Sequence, residues 1–169
     1  QVFAELNCDI LALQEGIAVR TIQPIAHQMD CYLATFPSPI NWPGHILSRY
    51  PILKNEARVY QFEPQHKNRL FNLLLYHFFV WKSLIQYGQL EYRGRKINLF
   101  NLHLDVFSRA NRALQIQALL DWIKHLELEK NLIFGGDLNF HAELGRERKT
   151  DFRGYDPNLE KLPPFFVDV

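Results

Sequence analysis

Three short stretches of this sequence end in side chains that can do acid–base or metal chemistry. Asp9-Ile-Leu-Ala-Leu-Gln-Glu15 closes on a carboxylate. Asn101-Leu-His-Leu-Asp105 carries an imidazole and a carboxylate on alternate residues, and Gly135-Gly-Asp-Leu-Asn139 brings a carboxylate and a carboxamide two residues apart. Each reads as a strand running out into a loop. In α/β proteins binding groups gather where strands stop, because the backbone there is rigid while the side chains still reach solvent. Carboxylates, a carboxamide and an imidazole delivered from three strand ends suit a hard cation. Mg²⁺ or Mn²⁺ takes oxygen ligands, keeps some of its waters and shares phosphate oxygens with a substrate. The chemistry indicated is metal-assisted phosphoryl chemistry.

The elements that must position these groups alternate between strand and helix, which points to an α/β architecture. The pattern predicts a helical turn over 2–6 stopped by Asn7, a strand over 9–15, a helix over 17–29 and a strand over 31–36. Pro37, Pro39 and Pro43 mark a loop. A strand follows from His45 to Ile52, turning at Pro51. Two strands, 84–92 and 97–103, are joined by Arg93-Gly-Arg-Lys96 as a hairpin. Ala113, Ile116, Leu119, Leu120, Ile123 and Leu126 lie on one face of a helix over about 108–127. A strand over 131–135 then stops at Gly135-Gly-Asp137. The chain is loop-like and charged after Asn139, and Phe165 begins a last apolar run.

Length and composition bound the answer. The chain has 169 residues with 47% hydrophobic and 22% charged, so it suits one globular domain and excludes disorder or coiled coil as a description of the whole. Lys plus Arg is 19 and Asp plus Glu is 18, a net charge of +1 that disfavours a protein wrapped in nucleic acid. Two cysteines make neither a metal cluster nor a disulfide framework. The run 70–81 is broken by Asn72 and His77, well short of the ~20 apolar residues of a spanning helix. Without such a span, and with no basic n-region or cleavable signal at the Gln1 start, the compartment is left open and a cytoplasmic address is favoured.

Together with Ile46-Leu-Ser-Arg-Tyr-Pro-Ile52, these motifs resemble, in order and spacing, those of the endonuclease/exonuclease/phosphatase superfamily with its deoxyribonuclease I-like fold. The resemblance runs from residue 9 to residue 139. It implies a four-layered α/β/β/α sandwich, two packed mixed sheets flanked by helices, and a divalent-metal-dependent phosphoesterase that drives water in line onto a phosphodiester or phosphomonoester. It implies roles as well. Glu15 binds Mg²⁺ or Mn²⁺, and Asp137 contributes to the metal site while orienting or deprotonating the water. Asn139 hydrogen-bonds that water or a phosphate oxygen, and His103 donates to a non-bridging phosphate oxygen. Arg109 and Arg112, at the start of the following helix, add positive charge nearby.

The sequence departs from the family pattern at both ends. The strand carrying a supporting Asn would precede Gln1, and no Ser-Asp-His motif occurs before Val169. The expectation is a single domain over 1–169 that is truncated at both ends. The family's acidic or Tyr partner between the second and third motifs is unmarked; Glu56, Tyr60 and Glu63 all qualify. The implied substrate is a nucleic acid, an inositol phosphate or a phospholipid head group. The motif run is more similar to the bacterial and sphingomyelinase-like branches than to the apurinic endonucleases. No protein partner is identifiable, and a monomer is expected.

Bland readings stand beside these. Glu15 alone could be a surface carboxylate, His103 a core histidine, and Asp137 with Asn139 a simple turn. The alternation of Asn101, His103 and Asp105 favours a polar face over a core. His45 and Arg49 read as structural, Cys8 and Cys31 as buried small hydrophobes, the aromatic run 76–81 as core, and the charged run 143–153 as a solvated loop. The functional alternative is a non-catalytic binding protein that keeps the fold with an incomplete site. A His45/His103 transition-metal hydrolase is weaker, because no ligand spacing supports it.

Overall fold

The computed structural model describes residues 5, 7–15, 18–36, 44–60, 83–105 and 109–139. The chain divides into two compact units. One comprises Gln1–Val59, Leu84–Leu102 and Glu129–Gly136; the other comprises Tyr60–Ser83, His103–Leu128 and Asp137–Val169. The elements in order are β1 (Ile10–Leu13), α1 (Val19–Gln28), β2 (Tyr32–Phe36), β3 (Gly44–Ser48), β4 (Ile52–Tyr60), β5 (Ser83–Tyr92), β6 (Arg95–His103), α2 (Arg109–His125) and β7 (Leu132–Asp137).

Two sheets form, with orders β1-β3-β2 and β4-β5-β6-β7. In the first, β3 is central and antiparallel to both neighbours, with Leu47 opposite Leu11 on one side and Leu33 on the other. Its five residues are all buried, and the strand period of two divides their work between the faces. Ile46 points inward and packs with Ala34, Phe36 and Ile10 against Leu99 and Ile52 of the second sheet. Leu47 points outward into a cluster with Ile22 and Ala26 of α1. Full burial of a Leu or Ile side chain stabilises by roughly 1.5–3 kcal/mol, so this pair of adjacent residues holds three layers together. The first unit is thus a helix on a sheet on a sheet, an α/β sandwich.

The ends of α1 explain its entry into β2. Ile22, Ile25, Ala26 and Met29 recur at helical spacing and face the sheet. The helix closes with Asp30 N–H donating to His27 O at 3.1 Å and Cys31 N–H to Ala26 O at 2.9 Å, with Asp30 at φ +53. That is a Schellman closure, with Asp where Gly is usual. α2 ends the same way at Glu127, φ +53, with Leu128 N–H bonded to Ile123 O at 3.1 Å.

β5 and β6 form an antiparallel hairpin in which Tyr92 faces Arg95. Only Arg93 and Gly94 turn, at φ +51 and +73. Two positive φ values are what a two-residue type I′ turn requires, and its twist matches the strands. β7 lies beside β6 with a constant offset, since Asn98 N–H donates to Asn131 O and Leu104 N–H to Asp137 O. That fixed offset makes the pair parallel, so the sheet is mixed, and α2 supplies the crossover connection from β6 to β7.

The structure differs from the sequence expectations at three places. The expected strand 45–52 ends at Ser48, and a second strand, β4, follows. β7 continues to Asp137, past both glycines. On α2 the buried positions include Trp122 and three polar residues, Asn111, Arg112 and Gln115, besides the apolar stripe. Among the described residues no helix is long and apolar enough to cross a membrane.

Candidate active site

In the first unit the relevant strand end is that of β1. Leu13 pairs with His45 on β3. Glu15 is exposed and adopts φ +50. A left-handed backbone is unfavourable for a Glu by roughly 1–2 kcal/mol and persists only where neighbouring contacts over-determine it. Those contacts are next door. Gln14 Nε2 donates to Asn101 Oδ1, and Asn101 Nδ2 donates to Leu13 O at 3.1 Å. Asn101 Nδ2 also donates to Gln86 Oε1 at 2.6 Å.

In the second unit the loop after β6 and the turn after β7 are tied together. His103 is the last residue of β6 and is half-buried. Leu104 N–H donates to Asp137 O at 2.9 Å, and Asn139 Nδ2 donates back to Leu104 O at 2.9 Å. Asp137 is exposed, and its Oδ1 accepts the Asn139 N–H at 3.0 Å. This bond closes a local turn of the kind Asp favours, with Asn139 at φ +52. The carboxylate keeps Oδ2 for other work, and Asn139 Nδ2 carries a second hydrogen.

Asp105 is 5% exposed and faces α2. Its N–H donates to Gln115 Oε1 at 2.9 Å, its carbonyl oxygen accepts from Arg112 Nη1 at 3.0 Å, and its Oδ2 accepts from Asn111 Nδ2 at 3.4 Å. The fully buried Arg112 guanidinium thus grips the backbone two residues after His103. Three helix side chains on one side and Asn139 on the other hold the His103-Leu104-Asp105 segment.

The alternation of Asn101, His103 and Asp105 marks polar side chains that are mostly buried. Asn101 is 1% exposed and Asp105 nearly as buried, and both are hydrogen-bonded; only His103 is partly open. Sequence reasoning gave Gln86 no role and did not foresee that Gln14 and Asn101 form a buried bridge. The available signal was a carboxamide flanked by apolar residues, Ile85 and Tyr87 beside Gln86 and Phe100 and Leu102 beside Asn101.

The remaining candidates fall into place or outside the described residues. His45 is buried on β3. Arg49 bonds Asn7 Oδ1 at 2.7 Å and lies 3.7 Å from Asp9 Oδ1 at the opposite end of β1 from Glu15. Cys8 and Cys31 are half-buried rather than buried; burial pushes the Cys31 thiol up, while Arg49 opposes the shift. Glu56 pairs with Lys54 at 2.6 Å on the edge strand β4, and Tyr60 ends that strand half-buried. Glu63, the run 70–81, the prolines of 37–43 and the charged run 143–153 lie outside the described residues, and so does the side chain of Arg109.

Among the described residues no three His, Cys, Asp or Glu side chains gather as a cluster. Mg²⁺ does not require one, since it is commonly held by one or two carboxylates with waters and phosphate oxygens completing its shell. An exposed carboxylate on a braced strand end, as at Glu15, has the donor chemistry such an ion needs.

Comparison with known proteins completes the description. The model of the Endonuclease/Exonuclease/phosphatase family matches residues 1–166. No curated protein matches the sequence. Among solved structures, truncated Caenorhabditis elegans TDP2 is similar at 23% identity and a TM-score of 0.60, over 84% of this chain and 55% of that one. A mannosyl-6-phosphatase from Bacteroides thetaiotaomicron is similar at 17% identity and a TM-score of 0.63, over 83% of this chain and 59% of that one. Danio rerio TDP2, complexed with a single-strand DNA product, is similar at 19% identity and a TM-score of 0.59, over 85% and 54%. At these identities the likeness establishes the fold. The chain spans a little over half the length of these three structures.

Proposed function

The chain belongs to the endonuclease/exonuclease/phosphatase family, and from that premise we propose that it is a divalent-metal-dependent phosphoesterase. The reaction is hydrolysis of a phosphodiester or phosphomonoester by in-line attack of water. The observation that carries it is the tie between the turn after β7 and the end of β6. Asn139 and Asp137 both bond Leu104, the residue after His103, so one braced segment presents an acid, a carboxamide and an imidazole.

Glu15 would hold the cation, Mg²⁺ or Mn²⁺, through its exposed carboxylate. When bound, such an ion polarises a phosphate oxygen and stabilises the charge that builds at phosphorus. Asp137 orients the attacking water and accepts its proton through the carboxylate oxygen not engaged by Asn139. Asn139 donates its second Nδ2 hydrogen to that water or to a phosphate oxygen. His103 donates to a non-bridging oxygen, where charge grows in the transition state. Braced donors matter because each such hydrogen bond supplies most when it needs no reorganisation at the moment of reaction.

The substrate is a phosphoester: nucleic acid, an inositol phosphate or a phospholipid head group. The near-neutral charge supports the smaller esters over tight duplex binding. A side-by-side assay of the full chain on DNA, sphingomyelin and inositol phosphates with Mg²⁺ or Mn²⁺ tests this. Turnover of a lipid or inositol ester fits. Rapid nicking of plasmid DNA with inert lipid would reverse the substrate preference, and no product from any ester would remove the enzymatic role.

A further inference from the structure

Asn101 occupies the centre of a buried seam of carboxamides. Both of its Nδ2 hydrogens are used, on Leu13 O and Gln86 Oε1, and its Oδ1 accepts from the Gln14 side chain. Leu13 and Gln14 are the two residues immediately before Glu15. The seam joins strands 88 residues apart in the chain and lies wholly within the first compact unit.

Space for it is built in. A Cβ on Gly44 of β3 would sit 1.6 Å from Gln86 Nε2, so only glycine lets the Gln86 carboxamide reach Asn101. The end of β1 needs such an anchor. β1 is four residues long, lies at the edge of its sheet, and its residues are only half-buried. A short edge strand frays readily, and Glu15 beyond it sits in an unfavourable backbone conformation.

We propose that Asn101 is a positioning residue for Glu15: it clamps Leu13 and Gln14 and so fixes where the Glu15 carboxylate leaves the strand. It rests on the assignment of Glu15 to the cation. Asn101 itself, 1% exposed, touches neither cation nor substrate. Groups that orient a metal-holding side chain typically change metal affinity about 10–100-fold when removed.

The test uses Asn101→Leu, close in shape but without polar atoms, and Gln14→Met, which keeps chain length at a half-buried position and leaves Asn101 in place. Each is compared with the wild-type full chain by amide hydrogen exchange and by calorimetric titration with Mn²⁺, with Glu15→Gln as control. Exchange at residues 13–15 is expected to rise at least about tenfold while Leu90 and Leu99 stay protected. Mn²⁺ affinity is expected to fall about tenfold or more in Asn101→Leu and by a smaller factor in Gln14→Met. If Asn101→Leu does not fold, Gln14→Met alone decides. Wild-type exchange at 13–15, or wild-type Mn²⁺ affinity in variants while Glu15→Gln has lost it, overturns the positioning role and leaves the cation assignment intact. Equal Mn²⁺ binding by wild type and Glu15→Gln instead removes the cation assignment, and the positioning role falls with it.

Discussion

The Asn139 carboxamide donates to the carbonyl oxygen of Leu104 at 2.9 Å, across 35 residues of sequence. One side chain thereby fixes the turn after β7 to the segment that follows His103. Its backbone, at φ +52, suits Asn far better than most residues.

Two substitutions separate these contributions. Asn139→Ala loses the carboxamide and strains the backbone, so stability should fall by about 1–2 kcal/mol and hydrolysis by at least about tenfold. Asn139→Gly relieves the backbone and should keep near wild-type stability with the same loss of turnover. Urea unfolding and initial rates on both variants check this. Equal rates in wild type and Asn139→Gly would remove Asn139 from the chemistry.

Gly136→Ala should be among the most damaging single changes on β7. The backbone has φ +131, and a Cβ there would lie 1.9 Å from Leu102 O and 2.7 Å from Leu102 N. Neither obstacle is a flexible side-chain end, so β7 must move away from β6. A loss of more than about 3 kcal/mol is expected, read as a lowered denaturation midpoint.

Arg112→Met tests whether the buried cluster on α2 braces the His103 segment. Methionine fills much of the volume but cannot donate to Asp105 O. About 1–3 kcal/mol should be lost. Because the brace acts through position, turnover number should fall more than substrate affinity. A variant with unchanged turnover would show the cluster to be structural only.

Much of the fold was legible in the sequence, for identifiable reasons. β1, β2, β5 and β6 announce themselves as apolar runs bounded by turn residues, and α2 by its stripe of Ile116, Leu119 and Ile123. β4 was missed because it lies at a sheet edge: Leu53, Lys54, Asn55, Ala57 and Arg58 are all exposed, so no alternation survives. Both helix C-terminal ends fell within two residues of expectation, although Asp30 and Glu127, not glycines, take the left-handed closing position. At the site, the motifs identified which residues to inspect. They could not reveal that Asn101 and Asp105 face inward, since burial of a polar side chain depends on partners distant in the chain, here Gln86 and Gln115.

Alkaline unfolding should expose the Tyr87 hydroxyl. Burial, the largest cause, raises its pKa above the usual 10.0, with the Gln89 hydrogen bond and Lys54 opposing. The folded protein therefore holds this proton more tightly than the unfolded chain does. The stabilisation is complete below about pH 10 and is lost as pH rises through the raised folded value. Tyr87→Phe should lower stability at neutral pH by about 1 kcal/mol, because Asn98 Oδ1 loses the donor at 2.8 Å. It should also flatten the pH dependence above pH 10, measurable by urea unfolding at several pH values.

The most direct test of the central claim is the rate of phosphoester hydrolysis by the full chain in Mg²⁺, in chelator, and after Asp137→Ala. Hydrolysis that disappears with chelator, returns with Mg²⁺ and falls at least about a hundredfold in Asp137→Ala is the predicted result. An unchanged rate in either chelator or Asp137→Ala would contradict the account.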